Sequence, residues 1–97
     1  MEKIDLNIIK ELNLKDIFMH HFGYEFKKKK SSKYGYLFKT PYGPIWIRYD
    51  YKTGKWFYTN LSTNNDNGTL IDWIQNHIIE ERNIGKVIKY LKDHQLL

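Results

Sequence analysis

Apolar residues recur with a helical period near both ends of the chain and with a period of two in its middle. Ile8, Ile9 and Leu12 fall at helical spacing behind Asp5, which is placed to cap the first turn. Asn13 interrupts that stripe and can cap a second short helix, with Asp16 three residues on in a capping-box-like position. Leu14, Ile17, Phe18, His21 and Phe22 form the apolar face of this helix, and Gly23 ends it. The period then changes. Tyr34, Tyr36 and Phe38 alternate with Gly35, Leu37 and Lys39, a strand signature. After the turn Pro41-Tyr42-Gly43-Pro44, Ile45, Ile47, Tyr49 and Tyr51 alternate with Trp46, Arg48 and Asp50. Lys52-Thr53-Gly54 turns the chain into a third run, residues 55–59, carrying Trp56, Phe57 and Tyr58. A dense loop signal over 60–68 precedes a helix capped by Asn67 or Thr69, with Leu70, Ile71, Ile74 and Ile78 facing the core. Asn83 caps a last helix with Ile84, Val87, Ile88 and Leu91 at i, i+3, i+4 and i+7. The pattern predicts an α+β domain: two short N-terminal helices, a three-stranded antiparallel β-meander and two C-terminal helices packed on it. Phe38, Ile45, Ile47 and Phe57 are expected in the core.

No internal repeat or long linker divides the chain, so residues 1–97 read as one module. The absence of cysteine excludes disulfides, cysteine-ligated zinc, iron–sulfur clusters and a thiol nucleophile together. No apolar run approaches the ~20 residues of a membrane span. Met1-Glu2-Lys3-Ile4-Asp5 also lacks the basic-then-apolar order of a signal peptide. The expectation is a soluble cytoplasmic protein with no membrane partner.

Catalytic chemistry finds little support. His20 and His21 are adjacent on a predicted helix and diverge, His77 stands alone on its helix, and His94 lies near the C-terminus. Asp50 and Asp66 fall in or near loops, where a general base could sit, whereas Asp72 reads as a first-turn residue favoured by the helix dipole. The glycines are isolated, so no phosphate-cradling loop is present. The expectation is a protein that is not an enzyme on its own and carries no metal or other cofactor.

Charge and aromatic content point elsewhere. The 16 basic and 11 acidic side chains give a net charge of +5 with histidines neutral, and eight tyrosines lead the aromatic set. Nine of the basic residues lie between Lys27 and Tyr58: Lys27, Lys28, Lys29, Lys30, Lys33, Lys39, Arg48, Lys52 and Lys55. Asp50 is the one acid in that window. Tyrosines and tryptophans are interleaved with these cations. Cations track phosphates and rings stack on unpaired bases, so the segment reads as a single-strand platform. The expected contacts are Lys27, Lys28, Lys29, Lys30, Lys33, Tyr36, Lys39, Trp46, Arg48, Lys55, Trp56 and Tyr58. The lysine run itself is expected as an exposed loop or the start of an edge strand. A solvated lysine surface over an aromatic core is the competing explanation.

Asn67-Gly68-Thr69-Leu70-Ile71-Asp72-Trp73-Ile74-Gln75 resembles the segment after the last zinc ligand in the N-terminal zinc-binding domain of bacterial-type DNA primases. Gly23-Tyr24-Glu25, Lys30-Ser31-Ser32 and Asp66-Asn67-Gly68-Thr69 with Ile71-Asp72 are similar to cysteine-less versions of that domain, which precede toprim-like modules in plasmid mobilisation and replication proteins. The likeness spans residues 5–92. It implies a zinc-ribbon-like core without zinc, because no cysteine or histidine stands near 38–41 or 60–64, where the zinc family carries its ligand pairs. Trp46, Trp56, Phe57 and Tyr58 are the aromatic residues expected to fill the place of the metal. By the same resemblance, the module binds single-stranded DNA and acts beside a separate polymerase, primase or helicase in replication or priming on a mobile genetic element. The rival expectation is a protein–protein adaptor whose aromatics bury against a partner.

Overall fold

The structure, a computed structural model, describes residues 5–32 and 35–97. Lys33, an expected contact, and Tyr34, an expected strand residue, lie outside the described residues. Five strands form one antiparallel sheet in sequential order: β1 Glu25–Phe26, β2 Tyr36–Thr40, β3 Gly43–Asp50, β4 Lys55–Asn60 and β5 Asn67–Gly68. Among the described residues the α-helices are α1 Leu6–Lys10, α2 Leu14–Asp16, α3 Leu70–Trp73 and α4 Ile84–Asp93. Helix α2 continues as a π-helical turn over Ile17–His21, and α3 does so over Ile74–Ile78.

The expected three-stranded meander is thereby corrected to a five-stranded sheet. Glu25 and Phe26 pair with Lys39 and Phe38 at one edge, while Asn67 and Gly68 pair with Thr59 and Tyr58 at the other. Two residues are too few to display a period, so neither edge strand leaves a pattern in the sequence.

Caps set the helix boundaries. Asp5 accepts from the Asn7 amide, Asn13 from the Asp16 amide and Asn83 from the Lys86 amide. Gly23 takes φ of +69°, which lets the Tyr24 amide reach the Phe18 carbonyl and close the second helix.

Register fixes what each side of the sheet presents. Tyr36, Ile47 and Tyr58 lie opposite one another, as do Phe38, Ile45 and Asn60. These positions form the inner side, where Phe38, Ile45 and Ile47 are fully buried against Ile9, Leu14, Phe18, Leu70, Ile74, Val87 and Leu91 from the helices. Trp73, fully buried, is the hub: its ring meets Phe18 at 4.7 Å and Tyr58 at 5.0 Å. Each fully buried aliphatic side chain here contributes ~1.5–3 kcal/mol through removal from water. The alternate positions form the outer side. Phe57, expected in the core, stands there opposite Arg48 and is only half-buried. Among the described residues no helix is long and apolar enough to cross a membrane.

Candidate nucleic-acid interface

Leu37, Trp46, Thr59 and Asn67 form one row across the outer side, flanked by the pairs Lys39–Pro44 and Arg48–Phe57. None of these residues is buried, so the helices cover one face of the sheet and leave the other to solvent. Trp46 and Phe57 are half-buried, and Lys39 and Arg48 are exposed. The Trp46 indole rests on the backbone of Gly35, where any Cβ would collide with it. The Arg48 guanidinium lies 4.8 Å from the centre of the Phe57 ring, a cation–π contact that holds a positive charge flat on the sheet. Lys55 belongs to the same face, opposite Asp50 at the hairpin end.

At the β1 edge, Lys28–Lys30 form a single 3₁₀ turn rather than a free loop. Ser31 pins it: its hydroxyl donates to the Lys27 carbonyl at 3.0 Å and accepts from the Leu37 amide at 2.9 Å. The Lys27 amide donates to the Leu37 carbonyl, so the run is docked against β2. Lys28, Lys29 and Lys30 are exposed. The Lys27 ammonium pairs with Glu25 at 3.1 Å, an exposed ion pair of small energetic weight.

The remaining expected contacts fall elsewhere. Tyr58 is 1% exposed and its hydroxyl donates to Asp66, so it is a core residue and no part of the interface. Tyr36 and Trp56 sit on the inner side, half-buried, with ring centres 6.3 Å apart. The Lys15 ammonium lies 4.6 Å from the Tyr36 ring centre and 5.3 Å from that of Phe26. Of the four aromatics expected to replace a metal, only Tyr58 lies in the core; Trp46 and Phe57 face outward.

The fold also assembles a polar cluster from residues that the sequence pattern leaves unconnected. Asp66, 8% exposed, accepts from the Tyr58 hydroxyl at 2.6 Å and from the Asn60 amide at 3.0 Å. Its Oδ2 also lies 2.7 Å from His77 Nε2, and the Asn76 amide approaches its Oδ1 at 3.4 Å. Burial alone would raise the Asp66 carboxyl, but hydrogen bonds from Tyr58, Asn60 and His77 hold it below the usual carboxylate range. Burial, and then the carboxylate beside it, push the Tyr58 phenol up. Both carboxylate oxygens are taken up by donors, which makes Asp66 an anchor for the 61–65 loop rather than a base aimed at a substrate. The Asn60 amide also donates to the Tyr42 carbonyl, tying the β2–β3 turn to that loop. One signal in the sequence points to the cluster: His77 lies four residues after Trp73 and three after Ile74, on the buried stripe of its helix.

Of the other histidines, His20 is exposed, and His21 Nε2 lies 2.8 Å from the Tyr90 hydroxyl. Burial, then the neighbouring His94, lower the His21 pKa. Among the described residues, no group of three or more His, Cys, Asp or Glu is arranged to hold a metal ion. Compared with known proteins, the chain matches no family model, no curated protein and no solved structure.

Proposed function

We propose that this chain is a cytoplasmic single-stranded DNA-binding accessory module of replication or priming on a mobile genetic element, with catalysis supplied by a separate polymerase, primase or helicase. The observation that carries the reading is the sheet face left open by the helices. It holds Lys39, Trp46, Arg48 and Lys55, with Lys27–Lys30 docked along its edge. Cations on such a surface neutralise phosphates, and half-exposed rings accept unpaired bases, which a duplex does not offer. The choice of replication over other single-strand processes rests on the resemblance at residues 66–75 to primase-type zinc-binding domains. Gel shifts with single- and double-stranded DNA at low and moderate salt test the reading. Preferential, salt-sensitive retardation of the single strand is expected. Absence of any shift, with a protein partner retained at high salt, would replace it with the adaptor reading.

A further inference from the structure

Beyond Tyr36–Ile47 on one side and Tyr58–Gly68 on the other, β3 and β4 pair only with each other among the described residues. Arg48–Phe57, Tyr49–Trp56 and Asp50–Lys55 thus make a two-stranded arm with no third strand paired to it among the described residues. A file of rings runs along its inner side. Tyr36 meets Trp56 at 6.3 Å, Trp56 meets Tyr49 at 4.9 Å and Tyr49 meets Tyr51 at 4.9 Å. Trp56 and Tyr36 pack on the margin of the core, but the file continues outward to Tyr51, which is 83% exposed. A ring that exposed gains little from folding, so the core does not account for it. The charge beside the file is cationic: Lys52 follows Tyr51 in the turn and the Lys15 ammonium lies over Tyr36 at its other end, while Arg48 and Lys55 face the outer side and the arm's single acid is Asp50. That acid is engaged in shaping the turn, accepting from the Lys52 amide and the Thr53 hydroxyl at 3.0 Å each.

We infer that the inner side of this arm is a second contact surface for single-stranded nucleic acid, with Tyr51 and Tyr49 as base-stacking positions and Lys52 at the hairpin tip as a phosphate contact. The inference rests on the proposed function and extends it from the outer face around the hairpin tip. Rings bordered by cations, with the one acid held in the turn, suit an anionic polymer that carries flat bases. Fluorescence anisotropy of a labelled oligothymidylate, titrated with wild type, Tyr51→Ala and Tyr51→Phe at several salt concentrations, tests it. At this exposure neither substitution threatens folding. Tyr51→Ala should weaken binding roughly 5- to 150-fold, the equivalent of one base stack, with the salt slope unchanged. Tyr51→Phe should bind like wild type. If wild type binds and Tyr51→Ala binds equally well, the arm is not a contact surface and the outer face alone carries the function. If wild type fails to bind the oligonucleotide at any salt, the functional reading falls and this inference falls with it.

Discussion

A carboxylate as deeply buried as Asp66 is tolerated because donors surround it: the Tyr58 hydroxyl, the Asn60 and Asn76 amides and the His77 ring. The charged form is the stabilised one, since the folded carboxyl lies below its ordinary range. The sign follows by linkage. The contribution is fully present above the unfolded carboxylate value of about 3.9 and is lost as pH falls through the lowered folded value. Thermal melts between neutral and strongly acidic pH should therefore show wild type losing stability on acidification. Asp66→Asn should be about 1–3 kcal/mol less stable at neutral pH and should show a shallower decline in acid. Equal stability of the two proteins at neutral pH would mean that the cluster anchors nothing. Read along the chain, Asp66 is one polar residue in a polar loop and Asn60 another. Only the register that sets Tyr58 opposite Gly68 brings their side chains together beside His77, and register is not written in any single segment.

Among the elements, the helix caps are the most legible in the sequence, because cap chemistry is local: Asp5, Asn13 and Asn83 each bond the amide two or three residues on. The edge strands β1 and β5 are not legible, since their pairing is decided by the chain beside them. Residues 56–58 are ambiguous for another reason. Three consecutive aromatics show no alternation, so which of them faces the core depends on pairing, and the register places Trp56 and Tyr58 inward and Phe57 outward. The passage from β5 into α3 is legible in one residue. Gly68 has φ of +141°, and a Cβ there would run into the Asp72 carboxylate, which accepts from the Thr69 amide at 2.8 Å to cap the helix. Gly68→Val should thus cost about 1–3 kcal/mol, from the disfavoured backbone region and the displaced cap together. A melting temperature unchanged from wild type would show that the junction yields at no cost.

For the molecule as a whole, the asymmetry of the sheet matters most. Helices supply apolar residues to one face only, and the open face carries Lys39, Trp46, Arg48, Lys55 and Phe57 from the cations and rings that the sequence concentrates between Lys27 and Tyr58. That concentration is visible from composition. Its division among an outer face, a docked edge, an inner file of rings and the core is not, because a period of two marks two sides without saying which one the helices cover. On this reading the basic edge and the outer face together bind the phosphates of a single strand. The decisive experiment follows log affinity against log salt for wild type and for the variant with Lys27, Lys28, Lys29 and Lys30 changed to Ala. These lysines are largely exposed and their pinning runs through Ser31 and the backbone, so the fold should survive. Weaker binding to every single-stranded sequence is expected, with a slope flattened by ~0.7 for each phosphate that the variant no longer neutralises. A folded variant with wild-type affinity and wild-type slope would show that these lysines do not meet the strand and would overturn the reading.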